Sequence, residues 1–239
     1  MEKNLKIPQH VAIIMDGNRR WARNQGKDPV EGHDHAAMNV IEPIIERCAQ
    51  LNIPYVTFWA FSTENWKRDK DEIQALFSIF RKGLKSLADR FIKKGAKLNI
   101  LGQVDRFPQD IAKKVQKLIQ KSQDNDQITV SFALNYGGRD EILRAVKKII
   151  KKGCQAKEVT EELFSSMLDT ADLPDPDLII RTGGEVRLSG FLPWQAVYSE
   201  LYFTDTLFPD FDTSQFDKAL QDYTSRDRRF GGNSKKKTS

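Results

Sequence analysis

The sequence predicts an α/β fold: a single domain with a central, mostly parallel six-stranded sheet flanked by helices. Three observations carry that prediction. Short apolar runs alternate with longer stretches of helical periodicity, the pattern of repeated strand–helix–strand units. The strand runs are apolar almost without interruption, as parallel strands covered on both faces are. No internal repeat and no Pro/Gly/Ser-rich linker divides the 239 residues, and that length suits one domain with a sizeable core.

The first predicted strand is Val11–Met15, which ends at Asp16 and a loop with arginines. A helix follows at about 33–50, then a strand at Tyr55–Phe61. The longest helical pattern, about 70–94, carries Ile73, Leu76, Phe77, Phe80, Leu84, Leu87 and Phe91 at 3.6-residue spacing. That stripe fits core packing, or the wall of an apolar pocket. Then come a strand at Lys97–Leu101, a helix at 109–122, a strand at Thr129–Leu134 and a helix at 139–152. A helix at 160–169, strands at Leu178–Arg181 and Leu201–Thr204, and a helix at 213–226 complete the order. The domain is expected to span 1–232, with 233–239 as a flexible basic tail.

Composition excludes several classes. Apolar runs fall far short of the ~20 residues that cross a bilayer, and "MEKNLKIPQH" lacks an apolar signal core. Cys48 and Cys154 are the two cysteines; they match no zinc spacing, which suits a reducing, cytoplasmic setting. The net charge of +5 and pI near 9.1 fit phosphate-bearing ligands, anionic lipid or nucleic acid equally, and much of the excess is solvating lysine. The G-x-x-x-x-G-K-[ST], G-x-G-x-x-G, H-E-x-x-H and G-x-S-x-G patterns are absent, so the common nucleotide, zinc and serine-hydrolase sites are not expected.

The chemistry gathers after the strands. "DGNRRWAR", "STENWKR", "NYGGRDE" and "RTGGEVRLSG" follow the first, second, fourth and fifth, and "SELYF" opens the sixth. Ligands of open parallel sheets bind at the carboxyl ends of the strands, so these loops should converge. They hold Arg19, Arg20, Arg23, Arg68, Arg139, Arg181 and Arg187 beside Asp16, Glu64, Glu185 and Glu200. Several arginines in one cleft suit more than one phosphate. A carboxylate among them suits Mg²⁺, which bridges one or two carboxylates to phosphate oxygens. Singly, each feature has a plainer account: Asp16 before glycine as a turn former, His33 as a helix-start residue, Arg187 as a surface cation.

"HVAIIMDGNRRWA", "FWAFSTENWKR", "NYGGRDEI", "LIIRTGGEVRLSGFLPWQAVYSELYFTD" and "RRFGG" resemble the cis-prenyltransferase family, with bacterial undecaprenyl diphosphate synthases the nearest in kind. The resemblance runs in order from His10 to Gly232. It implies an undecaprenyl-diphosphate-synthase-like domain acting as a homodimer with Mg²⁺ on isopentenyl diphosphate and an allylic diphosphate, farnesyl diphosphate being the expected starter. By position it implies Asp16 and Asn65 as catalytic residues. Gly17, Asn18, Arg19, Arg20, Trp21, His33, Ser62, Glu64 and Arg68 would bind the allylic diphosphate. Arg181, Arg187, Ser189, Arg229 and Gly231 would bind isopentenyl diphosphate, the last two from the partner's tail, and Asp16 and Glu200 would hold the metal. Phe77 and Phe80 would line a tunnel for the growing chain.

The chain departs from the family pattern in places. Pro29, after Asp28, falls where many bacterial members carry arginine, and Arg19 where many carry glycine. Ala36, Gly190 and Pro193 also differ. The first reading is a chain elongase making a C50–C55-type carrier lipid precursor, cytoplasmic, with peripheral membrane contact for product release. A second is a short-chain or branching synthase, with Trp59, Phe77 and Phe80 shortening the tunnel. A third is a non-catalytic partner subunit or basic RNA-binding protein. Retained Asp16, Asn65, Arg68, Arg181, Arg187 and Glu200 argue against a dead partner, and nucleic acid is not expected because the aromatic-plus-basic stacking surface is missing.

Overall fold

Six parallel strands form one sheet in the order β3-β4-β2-β1-β5-β6 in the computed structural model, which describes residues 6–227. They are β1 His10–Ile14, β2 Tyr55–Ser62, β3 Ala96–Leu101, β4 Ile128–Tyr136, β5 Leu178–Arg181 and β6 Glu200–Phe203. The expected parallel α/β architecture is therefore present. Side chains of β1 alternate between layers: Val11 and Ile13 enter a core with Phe58, Phe91, Phe208 and Phe216, whereas Ala12 and Ile14 pack with Tyr136, Phe191 and Leu192. One rung of the sheet runs Leu98–Val130–Val56–Val11–Leu178–Glu200. The rung Trp59–Ile14–Arg181 lies three residues further along and forms the carboxyl edge.

The helices are α1 Asn18–Asn24, α2 Pro29–His35, α3 Ile41–Gln50, α4 Lys70–Lys93, α5 Gln109–Lys121, α6 Gly138–Lys151, α7 Glu161–Ser165 and α8 Thr213–Ser225. Two differ from expectation. The predicted 33–50 helix starts earlier, at Pro29, because Asp28 caps it. Its carboxylate accepts from the Val30 amide (2.8 Å), and Glu31 accepts from the Asp28 amide (3.0 Å). Proline at the first helical position needs no amide donor and is preset for the turn, so the Asp28–Pro29 departure makes a helix start. A π-helical turn, Ala36–Val40, then joins α2 to α3. The predicted 160–169 helix shrinks to α7, held at its start by Thr160.

The tail at 233–239 and the residues Arg229 and Gly231 lie outside the described residues. Among the described residues, no helix is long and apolar enough to cross a membrane.

Candidate active site

The central strands end together. Chain order sends β2 to one side of β1 and β5 to the other, so the loops after them part around a crevice at the carboxyl edge. A cavity of about 340 Å³ opens there. Its mouth is polar, with Asp16, Asn18, His33, Ser62, Asn65, Arg68, Arg181 and Ser189. Its depth is apolar, walled by Phe80, Leu84, Leu87, Phe91, Leu98 and Leu118 among others. Leu98 shares the rung of Val11. That rung is five residues below Asp16, so at ~3.3 Å per residue the cavity runs about 16 Å along the sheet.

Asp16 is fixed from two sides. Thr182, fully buried, accepts from the Asp16 amide (3.0 Å) and donates to its carbonyl (2.8 Å). One carboxylate oxygen accepts from the Gly17 amide (2.7 Å), the other from Arg181 Nη2 (2.8 Å). Gly17 has φ +102°, and a Cβ there would meet Leu207 Cδ2 at 2.8 Å; a side chain would strain the turn that swings the chain from β1 into α1. Arg181 is 5% exposed and also donates to Ser189 Oγ (2.8 Å) and to the Arg187 carbonyl.

The opposite wall is cationic. Arg68 Nη1 donates to Glu72 (2.9 Å), which also faces Arg19 at 3.6 Å. His33 sits beside these arginines. Burial, and then the charges of Arg68 and Arg19, push its pKa down to about 4, so its ring is neutral near pH 7. Ser62 and Asn65 cap the turn after β2, with Asn65 Oδ1 accepting from the Ser62 amide (2.9 Å). That leaves the Asn65 NH₂ group for a ligand.

Several buried polar atoms here lack a protein partner: Asn18 Oδ1, Arg19 Nε, His33 Nε2 and Arg181 Nε. Buried polar groups are nearly always hydrogen-bonded, so these atoms mark where a polar ligand belongs. The donors suit phosphate oxygens. Among the described residues no group of three metal-binding side chains gathers. Mg²⁺ accepts a single carboxylate completed by phosphate and water oxygens, and Asp16 fits that demand.

Other expected site residues lie elsewhere. Arg20 is exposed and donates to the Gly183 carbonyl (3.0 Å). Trp21 is buried against His35, its indole N–H donating to Asp210 (2.7 Å), so it fastens α1 rather than facing the cavity. Glu64 is exposed, and Arg187 is exposed and paired with Glu185. The chain does not bring Glu200 to Asp16: Glu200 begins β6 on the rung of Val11 and pairs with Arg226 (2.9 Å). Phe77 is likewise not a tunnel wall. It packs in a cluster with Phe61, Trp66 and Phe107, while Phe80 does line the cavity. Sequence reasoning missed Thr182 and Glu72. The signals were a hydroxyl directly after Arg181 and an acid four residues after Arg68.

Comparison with known proteins agrees with this geometry. A family described as "Putative undecaprenyl diphosphate synthase" matches residues 14–231. The isoprenyl transferase of Aquifex pyrophilus is 49% identical over 95% of this chain and 97% of its own length. That of Fusobacterium nucleatum is 46% identical over 97% and 98%. Lavandulyl diphosphate synthase from Lavandula x intermedia, solved with dimethylallyl diphosphate, superposes with a TM-score of 0.90 at 36% identity, covering 94% of this chain and 98% of that one. A probable undecaprenyl diphosphate synthase from Campylobacter jejuni gives 0.80 at 33% identity, covering 97% and 100%. A polar, arginine-lined mouth over an apolar shaft, on this sheet and in these relatives, makes the chain a prenyl-transferring enzyme that belongs to the undecaprenyl diphosphate synthase family.

Proposed function

We propose that the protein condenses isopentenyl diphosphate onto an allylic diphosphate, farnesyl diphosphate being the expected starter, and repeats the step to a C50–C55-type polyprenyl diphosphate. The observation that carries this reading is one cavity with two chemistries: orphaned donors around Asp16 at the mouth, and an apolar shaft reaching Leu98 and Leu118.

In each cycle the allylic C–O bond breaks and diphosphate departs. The C=C of isopentenyl diphosphate attacks the allylic carbon, and loss of a proton leaves a new cis double bond. In this reading Arg19 and Arg68, which share Glu72, would hold the charge that builds on the departing diphosphate, and Arg181, paired with Asp16, would hold the diphosphate of isopentenyl diphosphate. His33, uncharged near pH 7, adds a hydrogen-bonding group without adding to the arginines' mutual repulsion. Bound at Asp16, Mg²⁺ would neutralise phosphate charge. The apolar walls keep water from the cationic carbon. They also favour elongation, since burying each five-carbon unit gains several kcal/mol at ~0.8 kcal/mol per CH₂.

A homodimer is part of the proposal. α6 exposes Leu143, Val146 and Ile150 at helical spacing, and the segment after β5 exposes Val186 and Val197. A cytoplasmic enzyme that touches the membrane only to release product fits the same reading. The short-chain alternative draws on the likeness to lavandulyl diphosphate synthase. Of the three bulky side chains that reading draws on, Trp59 and Phe80 do line the cavity, whereas Phe77 is withdrawn into the aromatic cluster and the shaft continues past Phe80 to Leu98 and Leu118. Incubation with Mg²⁺, labelled isopentenyl diphosphate and C10, C15 or C20 starters, read by mass spectrometry, tests the proposal. A ladder rising to C50–C55 is expected. A ceiling at C15–C20 selects the short-chain reading, and no product with any starter overturns both.

A further inference from the structure

A second, smaller cavity of about 160 Å³ lies between α4 and α5, lined by Arg81, Leu84, Lys85, Asp110, Ile111 and Lys114. Leu84 and Ile111 also wall the main shaft, so two apolar side chains separate the shaft from the outside at this point. The outer rim is charged. Arg81 grips Asp110 in a two-bond ion pair (2.6 and 3.2 Å) whose side chains are 43% and 58% exposed. Further along the same seam Lys121 pairs with Asp89 (2.6 Å). The two ion pairs bracket the gap, and Lys85 and Lys114 flank it.

We propose that this gap is a lateral portal through which the tail of the growing prenyl chain leaves the shaft, passing between Leu84 and Ile111 beneath the Arg81–Asp110 pair. The inference rests on the elongase reading. A shaft about 16 Å deep is outrun when five-carbon units are added one after another at its mouth, so the oldest end of the chain must go somewhere. Towards the sheet the shaft meets β2, β3 and β4, which pair in register from Ala96 with Ile128 and Tyr55 with Thr129 up to Leu101 with Ala133 and Trp59 with Ala133; the β2–β4 register shifts only nearer the mouth, between Trp59 and Ser62. Towards α3, the seam with α4 is closed by a network rather than a single pair: Arg90 and Lys94 share Glu42, whose side chain is 16% exposed, Lys94 also reaches Glu46, and Lys82 pairs with Asp34 of α2. The α4–α5 seam carries a cavity backed by shaft-lining side chains. Its closure is weak, because an exposed ion pair contributes little to stability. An apolar floor under a cationic rim passes a hydrocarbon and then presents positive charge to whatever anionic surface receives it.

Two measurements test the portal. In a Cys154→Ser background, Lys85→Cys and Lys114→Cys are joined across the gap by a short bis-maleimide. The first addition to a C15 starter should proceed at the parent rate, which also reports an intact fold, while the product ladder shortens by at least one isoprene unit. A complete cross-link with an unchanged ladder overturns the portal. Separately, the Lys114→Cys thiol is timed against maleimide. A polyprenyl diphosphate of ten units should slow its labelling and farnesyl diphosphate should not; equal rates with both ligands overturn the portal. The thiol assay needs no turnover. A parent enzyme that makes no long product sinks the elongase reading, whereas unprotected thiols sink the portal.

Discussion

Asp16 and Arg181 make one contact on which both the fold and the proposed chemistry would depend. Arg181 is almost wholly buried, and its charge is balanced by Asp16 at 2.8 Å. Removing one partner of a buried pair leaves the other uncompensated, so Asp16→Ala should abolish turnover and also lower stability. Asp16→Asn keeps the shape and an acceptor oxygen, and should retain more stability with equally little activity. Near-normal turnover in either variant, by labelled isopentenyl incorporation, would remove Asp16 from the chemistry. His10 makes a separate residue-scale prediction. Its ring is buried, with Nδ1 2.7 Å from the Pro174 carbonyl and Nε2 2.8 Å from Thr57 Oγ1. The carbonyl can only accept, so Nδ1 carries the proton and Nε2 accepts from the hydroxyl. Burial pulls its pKa from 6.5 to about 4. Below pH 6.5 the unfolded chain binds a proton that the folded chain refuses. Stability should therefore fall from about pH 6.5 towards 4, at up to ~1.4 kcal/mol per pH unit for this histidine. Above 6.5 His10 is neutral in both states and adds no slope. His33, lowered to the same value, acts in the same direction. Urea melts from pH 7 to 4.5 should show the fall, and His10→Gln should flatten it; an unchanged slope in that variant would refute the assignment.

At the scale of elements, the strands were legible because burial on both faces leaves a near-continuous apolar run, and the long helices because each has one period and one buried face. The missed pieces had conflicting local signals. Asp28–Pro29 looked like a departure from the family pattern, but a capped proline start is what its chemistry supports. The π-helical turn at Ala36–Val40 breaks the 3.6-residue period without glycine or proline to announce it. The stripe on α4 was visible, yet periodicity could not divide it between two environments: Ile73 and Phe77 enter the aromatic cluster, while Phe80, Leu84, Leu87 and Phe91 wall the shaft. Gly83 lies in the middle of α4 and lines the shaft; a Cβ there would have nothing nearer than Met38 Cε at 3.9 Å. Glycine inside a helix is less stable than alanine by roughly 0.5–1 kcal/mol. Gly83→Ala should therefore raise stability by about that amount with little change in product. Gly83→Leu should also fold but fill the shaft, moving the product ladder to shorter chains. A destabilised Gly83→Ala in thermal melts, or an unchanged ladder in Gly83→Leu by mass spectrometry, would refute this account of the space at Gly83.

At the scale of the whole molecule, the sequence could say that four charged loops follow strands and that a fifth charged segment opens one, but not which rung each residue occupies. Register is set by pairing across the sheet, so Glu200 could be grouped with Asp16 by motif while β5–β6 pairing carries it to the other edge. The same limit applies to the outer surface. On a helical wheel Leu143, Val146 and Ile150 pass as inward-facing, yet they are 58%, 38% and 71% exposed, while Ala145 and Ile149 face the core. Next to α6, the segment after β5 exposes Val186 and Val197 and is joined to the helix start, where Gly138 N–H donates to the Gly190 carbonyl (2.8 Å). Apolar side chains grouped in this way mark surfaces that are covered in use. In the proposed homodimer a second copy of the chain would cover that face with a self-complementary patch. The parent should sediment as a dimer, and Leu143→Glu with Ile150→Glu should give a folded monomer, because neither side chain is part of the core. If dimerisation completes the site, activity should fall with the dimer fraction and return as protein concentration is raised. A parent that sediments as a monomer, or a charged variant that stays dimeric, would place the contact elsewhere or remove it.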